Sequence, residues 1–291
     1  MKQLIISLLI LIAGCNGKRK PVNAVDPLPP PFVSSPAGSH VAPGIIDEAS
    51  GIADSRLNAG SLWVEEDSGN PPQLYLLQHN GSLLKKIYIN NAQNRDWEDL
   101  TLGAGPTDDL NYLYVADIGD NDSKYSSYNI YRFPEPPATA DTVHNPDKLT
   151  FVYPDGAHDA EALVVDNRTK DIYIITKRGS KSKVYKLPYP QSTKEVNVAV
   201  FVMGLPFDGV VSAATSKNGE EIIIKTYTGL FYWQRKSSET IETALARART
   251  VLPYKLEPQG EAVCFKSDNG GFFTLSERRS SAISLNFYKR L

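Results

Sequence analysis

The sequence predicts an all-β fold, a β-propeller of five blades with four strands each, and three observations carry that reading. First, an acidic residue leads a run of small and apolar residues four times: Glu48-Ala49-Ser50-Gly51-Ile52, Glu98-Asp99-Leu100-Thr101-Leu102, Glu161-Ala162-Leu163-Val164-Val165 and Glu261-Ala262-Val263-Cys264-Phe265. A fifth, Ser212-Ala213-Ala214-Thr215, stands where the Glu is missing, and the spacings of 50, 63, 51 and 49 residues suit propeller blades. Second, runs of period two bounded by turn residues fill the chain from residue 50 onward, the signature of strands. Third, the last module is one strand short, and a ring of blades repairs that by drawing a strand from the N-terminal side.

Taken in order, the first repeat offers strands at 50–54, 62–66, 73–77 and 83–89, punctuated by Asn58-Ala59-Gly60 and by Asn80-Gly81, a strong hairpin signal. The second offers 99–102, 112–117, 129–133 and 148–153, and the third 162–166, 172–176, 183–187 and 196–203. The fourth offers 212–216, 221–225, 229–234 and 250–253, with a helical insert across 240–247. The last offers only 262–266, 271–275 and 282–288, and residues 39–46 are placed to complete it. Six blades are the alternative, since the long second repeat has room for more strands. A sandwich or barrel would leave the recurring Glu unexplained.

Ahead of the repeats, Met1-Lys2, an apolar run over 4–12 and Ala13-Gly14-Cys15 resemble a bacterial lipoprotein signal with Ile12-Ala13-Gly14-Cys15 as its lipobox. The apolar run is too short for an ordinary membrane-spanning helix. The resemblance implies cleavage after residue 14 and lipid, palmitate included, on Cys15, which anchors the chain in a bacterial cell envelope. Asn16, rather than Asp, after the Cys leans toward the outer membrane in a host that has one. A plain secretory signal or an uncleaved anchor is the competing reading. Residues 15–40 are basic and then Pro-rich around Pro29-Pro30-Pro31, the composition of a semi-rigid tether. Residues 41–291 carry no second linker and are read as one domain.

A net charge of −2 argues against a nucleic-acid binder dependent on phosphate contacts. Once Cys15 is lipidated, Cys264 is the one remaining thiol, so no intrachain disulfide forms, and its place in a strand pattern reads as a small buried hydrophobe. A zinc site is not expected from four scattered His. The domain is expected to be a monomer.

In a propeller, the starts of the inner strands and the ends of the second strands meet on one face. That face collects Glu48, Glu98, Glu161, Glu261, Asp67, Asp117, Asp120 and Glu277 beside Lys177, Arg178, Lys225, Arg278 and Arg279. Crowded carboxylates require a cation or raised pKa values. A ring of hard oxygen donors suits Ca²⁺, with Glu48, Glu98, Glu161, Glu261 and Asp117 as the candidate ligands. Lys177, Arg278 and Arg279 are candidates to hold an anionic group, and His158 is a candidate general base. The plainer reading of each Glu is a bond to backbone or to Lys and Arg that fixes blade geometry. Asp117 could equally serve an ordinary turn, and His158 could be an incidental loop residue.

Glu48-Ala-Ser-Gly-Ile, Asp96-Trp-Glu-Asp-Leu, Tyr114-Val-Ala-Asp-Ile-Gly-Asp-Asn and Asp159-Ala-Glu-Ala-Leu resemble exported bacterial propellers grouped with calcium-dependent phosphotriesterases and phytase-like esterases. Gly260-Glu261-Ala262-Val263, with the later Phe272-Phe273 and Arg278-Arg279, is similar to calcium-activated nucleotidases (apyrases). The resemblance implies a central Ca²⁺ and, in its enzymatic members, hydrolysis of phosphoester or lactone-type ester bonds. Ser212 departs from a uniform acidic ring, and no clear nucleophile and base pair is evident. The leading reading is therefore a lipid-anchored propeller that binds Ca²⁺ and a small anionic molecule. A calcium-dependent hydrolase and a metal-free scaffold for glycan or protein are the alternatives.

Overall fold

The computed structural model describes residues 31–278 and 282–291. The signal at 1–14, Cys15, the tether up to residue 30 and Arg279 lie outside the described residues. After β1 (Ala37–Val41), blade one comprises β2 (Ala49–Asp54), β3 (Ser61–Glu66), β4 (Gln73–Gln78) and β5 (Leu83–Ile89). Blade two comprises β6 (Trp97–Ala104), β7 (Asn111–Asp117), β8 (Tyr128–Pro134) and β10 (Asp147–Val152), with β9 (Thr142–Val143) between the last two in sequence. Blade three comprises β11 (Ala160–Val165), β12 (Ile172–Thr176), β13 (Lys183–Leu187) and β15 (Val200–Gly204), with β14 (Asn197–Val198) just ahead of β15. Blade four comprises β16 (Val210–Thr215), β17 (Glu221–Thr226), β18 (Gly229–Gln234) and β19 (Thr250–Leu252), with α1 (Ile241–Leu245) before β19. Blade five comprises β20 (Ala262–Phe265), β21 (Gly271–Leu275), β22 (Ile283–Lys289) and, as its outermost strand, β1.

The five inner strands β2, β6, β11, β16 and β20 pack side by side, and β20 returns against β2, so the ring is closed. Five blades are therefore present, and the long second repeat hides no sixth. Its extra residues send β9 back to pair in parallel with β5 as a fifth strand of blade one. The strand expected at 196–203 is likewise divided: β14 pairs in parallel with β10 of blade two, and β15 closes blade three. The expected helical insert is one short helix whose N-cap Thr240 accepts the Thr243 N–H.

Five hydrophobic clusters fill the five spaces between neighbouring blades. Trp63, Leu74, Trp97 and Val115 sit between blades one and two, and Tyr114, Leu163, Ile174 and Tyr185 between two and three. Ile175, Val210, Ile224 and Trp233 join three to four, and Phe32, Ile223, Phe272 and Tyr288 join four to five. Ile52, Val64, Cys264 and Phe273 close five onto one, so Cys264 is a buried core residue. Because each blade is covered on both faces, a middle strand such as Ile172–Thr176 is buried along its whole length, while an outer strand such as Leu83–Ile89 alternates. Each fully buried Leu, Ile or Phe contributes about 1.5–3 kcal/mol. The ring is tight at its centre: a Cβ on Gly51 would lie 2.2 Å from the Leu100 nitrogen of the next blade.

Candidate metal centre

The inner strands begin with an irregularity that decides which side chains reach the axis. Trp97 pairs with Asp117 and Asp99 with Ala116, so Glu98 is an extra residue without a cross-strand partner. The same break places Glu161 between Ala160 and Ala162, and Val211 between Val210 and Ser212. A bulge of this kind re-aims the extra side chain. By this register Glu98, Glu161, Val211 and Glu261 are equivalent, and in blade one, where Ala49 faces Glu66 and Ile52 faces Val64, the equivalent residue is Ser50. The acidic ring therefore has three members, and Ser50 and Val211 hold the other two positions.

Two groups of carboxylates converge at this face. Asp67, Asp96 and Glu98 each offer an oxygen within 4.8 Å of the others, and so do Glu98, Asp159 and Glu161, with Glu98 common to both. The two halves differ in how their charge is met. Asp159 accepts from Arg178 Nε at 2.6 Å and from the Asp120 N–H at 2.9 Å, and Glu161 accepts from Lys177. Lys177 also donates to the Tyr227 hydroxyl at 3.1 Å, which in turn donates to Glu261. On the other side Asp67 accepts the Ser68 N–H, and Asp96 is helped by the Ser68 side chain and the charge of Arg95. No donor among the described residues reaches the Glu98 carboxylate. Gly119 passes so close that a Cβ there would lie 2.2 Å from Glu98 Oε1 and 2.5 Å from Asp96 Oδ2, so the 117–120 loop walls this half of the site.

The electrostatics follow from burial and like charge. Burial pushes Glu98 well above the usual carboxylate range, and Glu161, Asp67, Asp96 and Glu261 add to it. Burial, with Asp96, Glu277 and Glu48 near by, raises Asp67 to about 6 despite the Ser68 N–H. Burial and the neighbouring Glu277 raise Glu261 to about 8. Burial also raises Glu161 well above its ordinary value, although Lys177 opposes the shift. Six carboxyls thus face Lys177 and Arg178 in ion pairs on one side and the nearby charge of Arg95 on the other, and protons or a cation can relieve the excess that remains at Asp67, Asp96 and Glu98.

The remaining sequence candidates fall outside these groups. Glu48 lies two residues ahead of the ring position, is exposed, and accepts from Asn70 at 2.7 Å. Asp117 accepts the N–H groups of Arg95 and Asp96 at 3.1 and 3.0 Å, so it holds the turn that presents Asp96. Arg278 donates to Asp47 at 2.6 Å and to the Val41 carbonyl at 2.9 Å, tying blade five to the incoming chain. His158 contacts Asp155 at 3.0 Å and the Tyr185 hydroxyl at 2.8 Å, away from the carboxylate groups. Lys225 is buried against Tyr254, 3.6 Å from Glu257, and burial lowers it to about 8.

Asp96 and Asp159 carry the site without having been singled out as ligands, although a signal exists: Asp96-Trp97-Glu98 and Asp159-Ala160-Glu161 repeat the same Asp-x-Glu at the same structural position. Asp99 also went unnoticed. It is fully buried and accepts the N–H groups of Leu100 (3.0 Å), Leu163 (2.8 Å) and Ala213 (3.4 Å) and the Ser212 hydroxyl (3.1 Å). Ser212 Oγ accepts the Val263 N–H at 3.3 Å, so these two side chains staple four blades around the axis.

No family model matches the chain, and no curated protein matches it. Among solved structures it is similar to Kuenenia stuttgartiensis hydrazine synthase, with 11% identity and a TM-score of 0.43 over 84% of this chain and 71% of that one. The propeller assignment rests on the sheet order and ring closure described above.

Proposed function

We propose that this protein is a cell-envelope lipoprotein, anchored through Cys15, whose propeller binds one hard divalent cation, Ca²⁺, at Asp67, Asp96 and Glu98, with an anionic small molecule beside it. The observation that carries the cation is the unequal pairing of the two carboxylate groups. Asp159 and Glu161 already have Arg178 and Lys177, whereas Glu98, shared by both groups, has no donor. All-oxygen donors of mixed Asp and Glu reach favour the flexible coordination of Ca²⁺ over the strict octahedron of Mg²⁺. A bound cation would neutralise these carboxylates and present a Lewis-acidic centre to an anion. Lys177 and the half-exposed Arg178 lie across the same mouth and supply N–H donors for the far side of that anion.

The residues favour binding over turnover. His158 is committed to Asp155 and Tyr185, away from Glu98, and the carboxylates beside Glu98 are the proposed ligands, so among the described residues no base separate from the cation's own ligands stands there. The calcium-dependent esterase or phosphoesterase reading would need water activated at the cation alone. The test is calorimetric titration of chelator-treated protein with Ca²⁺ and with Mg²⁺, repeated on Glu98→Gln. Saturable Ca²⁺ binding that the substitution abolishes supports the site. Equal heats in both proteins refute it. Release of a chromogenic phosphoester or aryl ester, measured on the same samples, separates the hydrolase from the binder.

A further inference from the structure

The chain reaches blade five from the face opposite the carboxylates. β22 runs from the carboxylate face to the opposite one, and β1 lies antiparallel to it, with Val41 opposite Ile283 and Ala37 opposite Phe287. Whatever precedes β1 therefore arrives from the opposite face. Phe32 is bridged to Arg290 there, and the Leu291 N–H donates to the Pro31 carbonyl at 2.9 Å. Phe32 is wedged edge-on against Tyr232 and Phe272, with centroids 5.8 and 4.9 Å away, and the Arg290 guanidinium covers its ring at 4.8 Å. Pro31 is thereby fixed on this face.

Beside that point lies a cleft of about 360 Å³ whose walls include Lys236, Arg247, Arg290, Glu220 and Glu221. Arg290 donates from Nε to the Asn269 carbonyl and from Nη2 to Glu221, both at 2.6 Å. Arg247 donates from Nη2 to the Gln234 carbonyl and to Glu239. Among the described residues, the Nη1 groups of both arginines and the ammonium of Lys236 have no hydrogen-bond partner. Arg235, behind the lining, is spent on Asp166, which accepts from both of its Nη groups at 2.8 and 2.7 Å, so Lys236 and the free Nη1 edges of Arg247 and Arg290 are the donors the cleft presents. Spare, directional N–H donors from two guanidiniums and one ammonium are what a phosphate monoanion accepts.

We propose that this is the membrane-facing side of the propeller and that the cleft seats the phosphate of an anionic lipid headgroup, leaving the carboxylate mouth pointing away from the bilayer. This rests on the reading of Cys15 as the lipidated residue. Fifteen residues lie between Cys15 and Pro31, a reach of at most about 55 Å when fully extended. Lys18, Arg19 and Lys20 follow the anchor and favour an anionic surface. A tether of that length raises the local concentration of headgroups at the cleft, so modest intrinsic affinity suffices. The ligand of the mouth would then be a soluble molecule that arrives from the side away from the membrane.

The test uses the full-length lipidated protein in phosphatidylcholine vesicles, with and without phosphatidylglycerol, that carry a lipid-borne quencher. A fluorophore is placed on Ser237→Cys beside the cleft or on Ser126→Cys in the loop after β7; both positions are exposed, and the native Cys264 is buried. Inner strands of six residues put the two faces about 20 Å apart. Quenching at Ser237→Cys should exceed that at Ser126→Cys several-fold, grow with phosphatidylglycerol, and fall back in Lys236→Gln/Arg247→Gln and in excess inorganic phosphate. Equal or reversed quenching overturns the orientation, and indifference to phosphatidylglycerol or phosphate overturns the cleft. Vesicle co-flotation of Cys15→Ala tests the anchor by itself, since a variant that floats as well as wild type defeats that reading alone. Unchanged Ca²⁺ titration of the double variant verifies its fold.

Discussion

Replacing Glu98 by Gln should move two quantities in opposite directions. Glu98 lies within 4.8 Å of Asp67 and Asp96 on one side and of Asp159 and Glu161 on the other. The latter two are met by ion pairs to Arg178 and Lys177, whereas Asp67 has only the Ser68 N–H and Asp96 only the Ser68 side chain and the nearby charge of Arg95, so these two neighbours carry most of the repulsion. Two unit charges 4.8 Å apart repel by about 3.5 kcal/mol at an effective dielectric constant near 20. Protonation caps that cost, because burial and like charge raise Glu98 well above its ordinary range and it takes up a proton instead. The relief available to an uncharged isostere is therefore about 1–3 kcal/mol at pH 7. At roughly 2–4 °C per kcal/mol for a domain of this size, the cation-free variant should melt several degrees above wild type. Its Ca²⁺ affinity should fall by more than about tenfold, since even residues behind the ligands carry effects of that size. Scanning calorimetry with chelator present and isothermal titration read the two arms. A variant that melts lower and binds Ca²⁺ unchanged would show that Glu98 is a structural acceptor, and the assignment of the site would fail.

Calcium affinity should weaken as pH falls from about 8 to 6, because Glu261 near 8 and Asp67 near 6 gain protons that compete with the cation; titrations in two buffers of different ionisation enthalpy should show proton release on binding, and identical heats would contradict it. Lys177→Met removes the internal counter-ion of Glu161, so it should lower the melting temperature of the cation-free protein and raise the Ca²⁺ stoichiometry from one toward two as Glu98, Asp159 and Glu161 become available; an unchanged stoichiometry would confine the site to Asp67, Asp96 and Glu98. Glu65 is fully buried and lacks a well-formed hydrogen bond, and burial followed by the charges of Asp67 and Asp99 raises it well above the usual carboxylate range. The folded state thus favours its protonated form, whose stabilisation is complete below the unfolded pKa of about 4.3 and is lost as pH rises through the folded value. Glu65→Met should therefore exceed wild type in urea midpoint by a margin that grows with pH, and a constant or negative margin would mean that Glu65 has a partner in solution.

The blade count and most strand positions were legible because long two-sided burial writes an apolar run between turns, as at Ile172–Thr176. The parallel additions β9 and β14 were not, since two-residue bridges carry no periodicity of their own. The acidic ring was legible in part. The bulge inserts one unpaired residue at the start of an inner strand, so motifs that match by eye fall out of step in space: Ser212 stood where the repeat lacks its Glu, while Val211 occupies that place. In the same way Glu48 matched by letter, while Ser50 holds the position in blade one. The Asp-x-Glu repeat at 96–98 and 159–161 was present in the sequence and is what separates the carboxylate groups from the stapling residues. The roles of Asp117 and Arg278 depend on the Asp96 N–H, the Val41 carbonyl and the Asp47 carboxylate brought to them by the fold, which no local pattern records.

The clasp between β1 and β22 also has a mechanical side. A pull on the chain ahead of Phe32 acts along the axis of β1, so once the single bridge to Arg290 gives way, the five paired positions from Ala37 to Val41 are loaded together in shear. Had the same strand been drawn away sideways, those positions would open one after another under a much smaller force. A tug at the N-terminal side therefore meets the strongest geometry that a short strand can offer, and the ring yields only when the whole clasp slides at once.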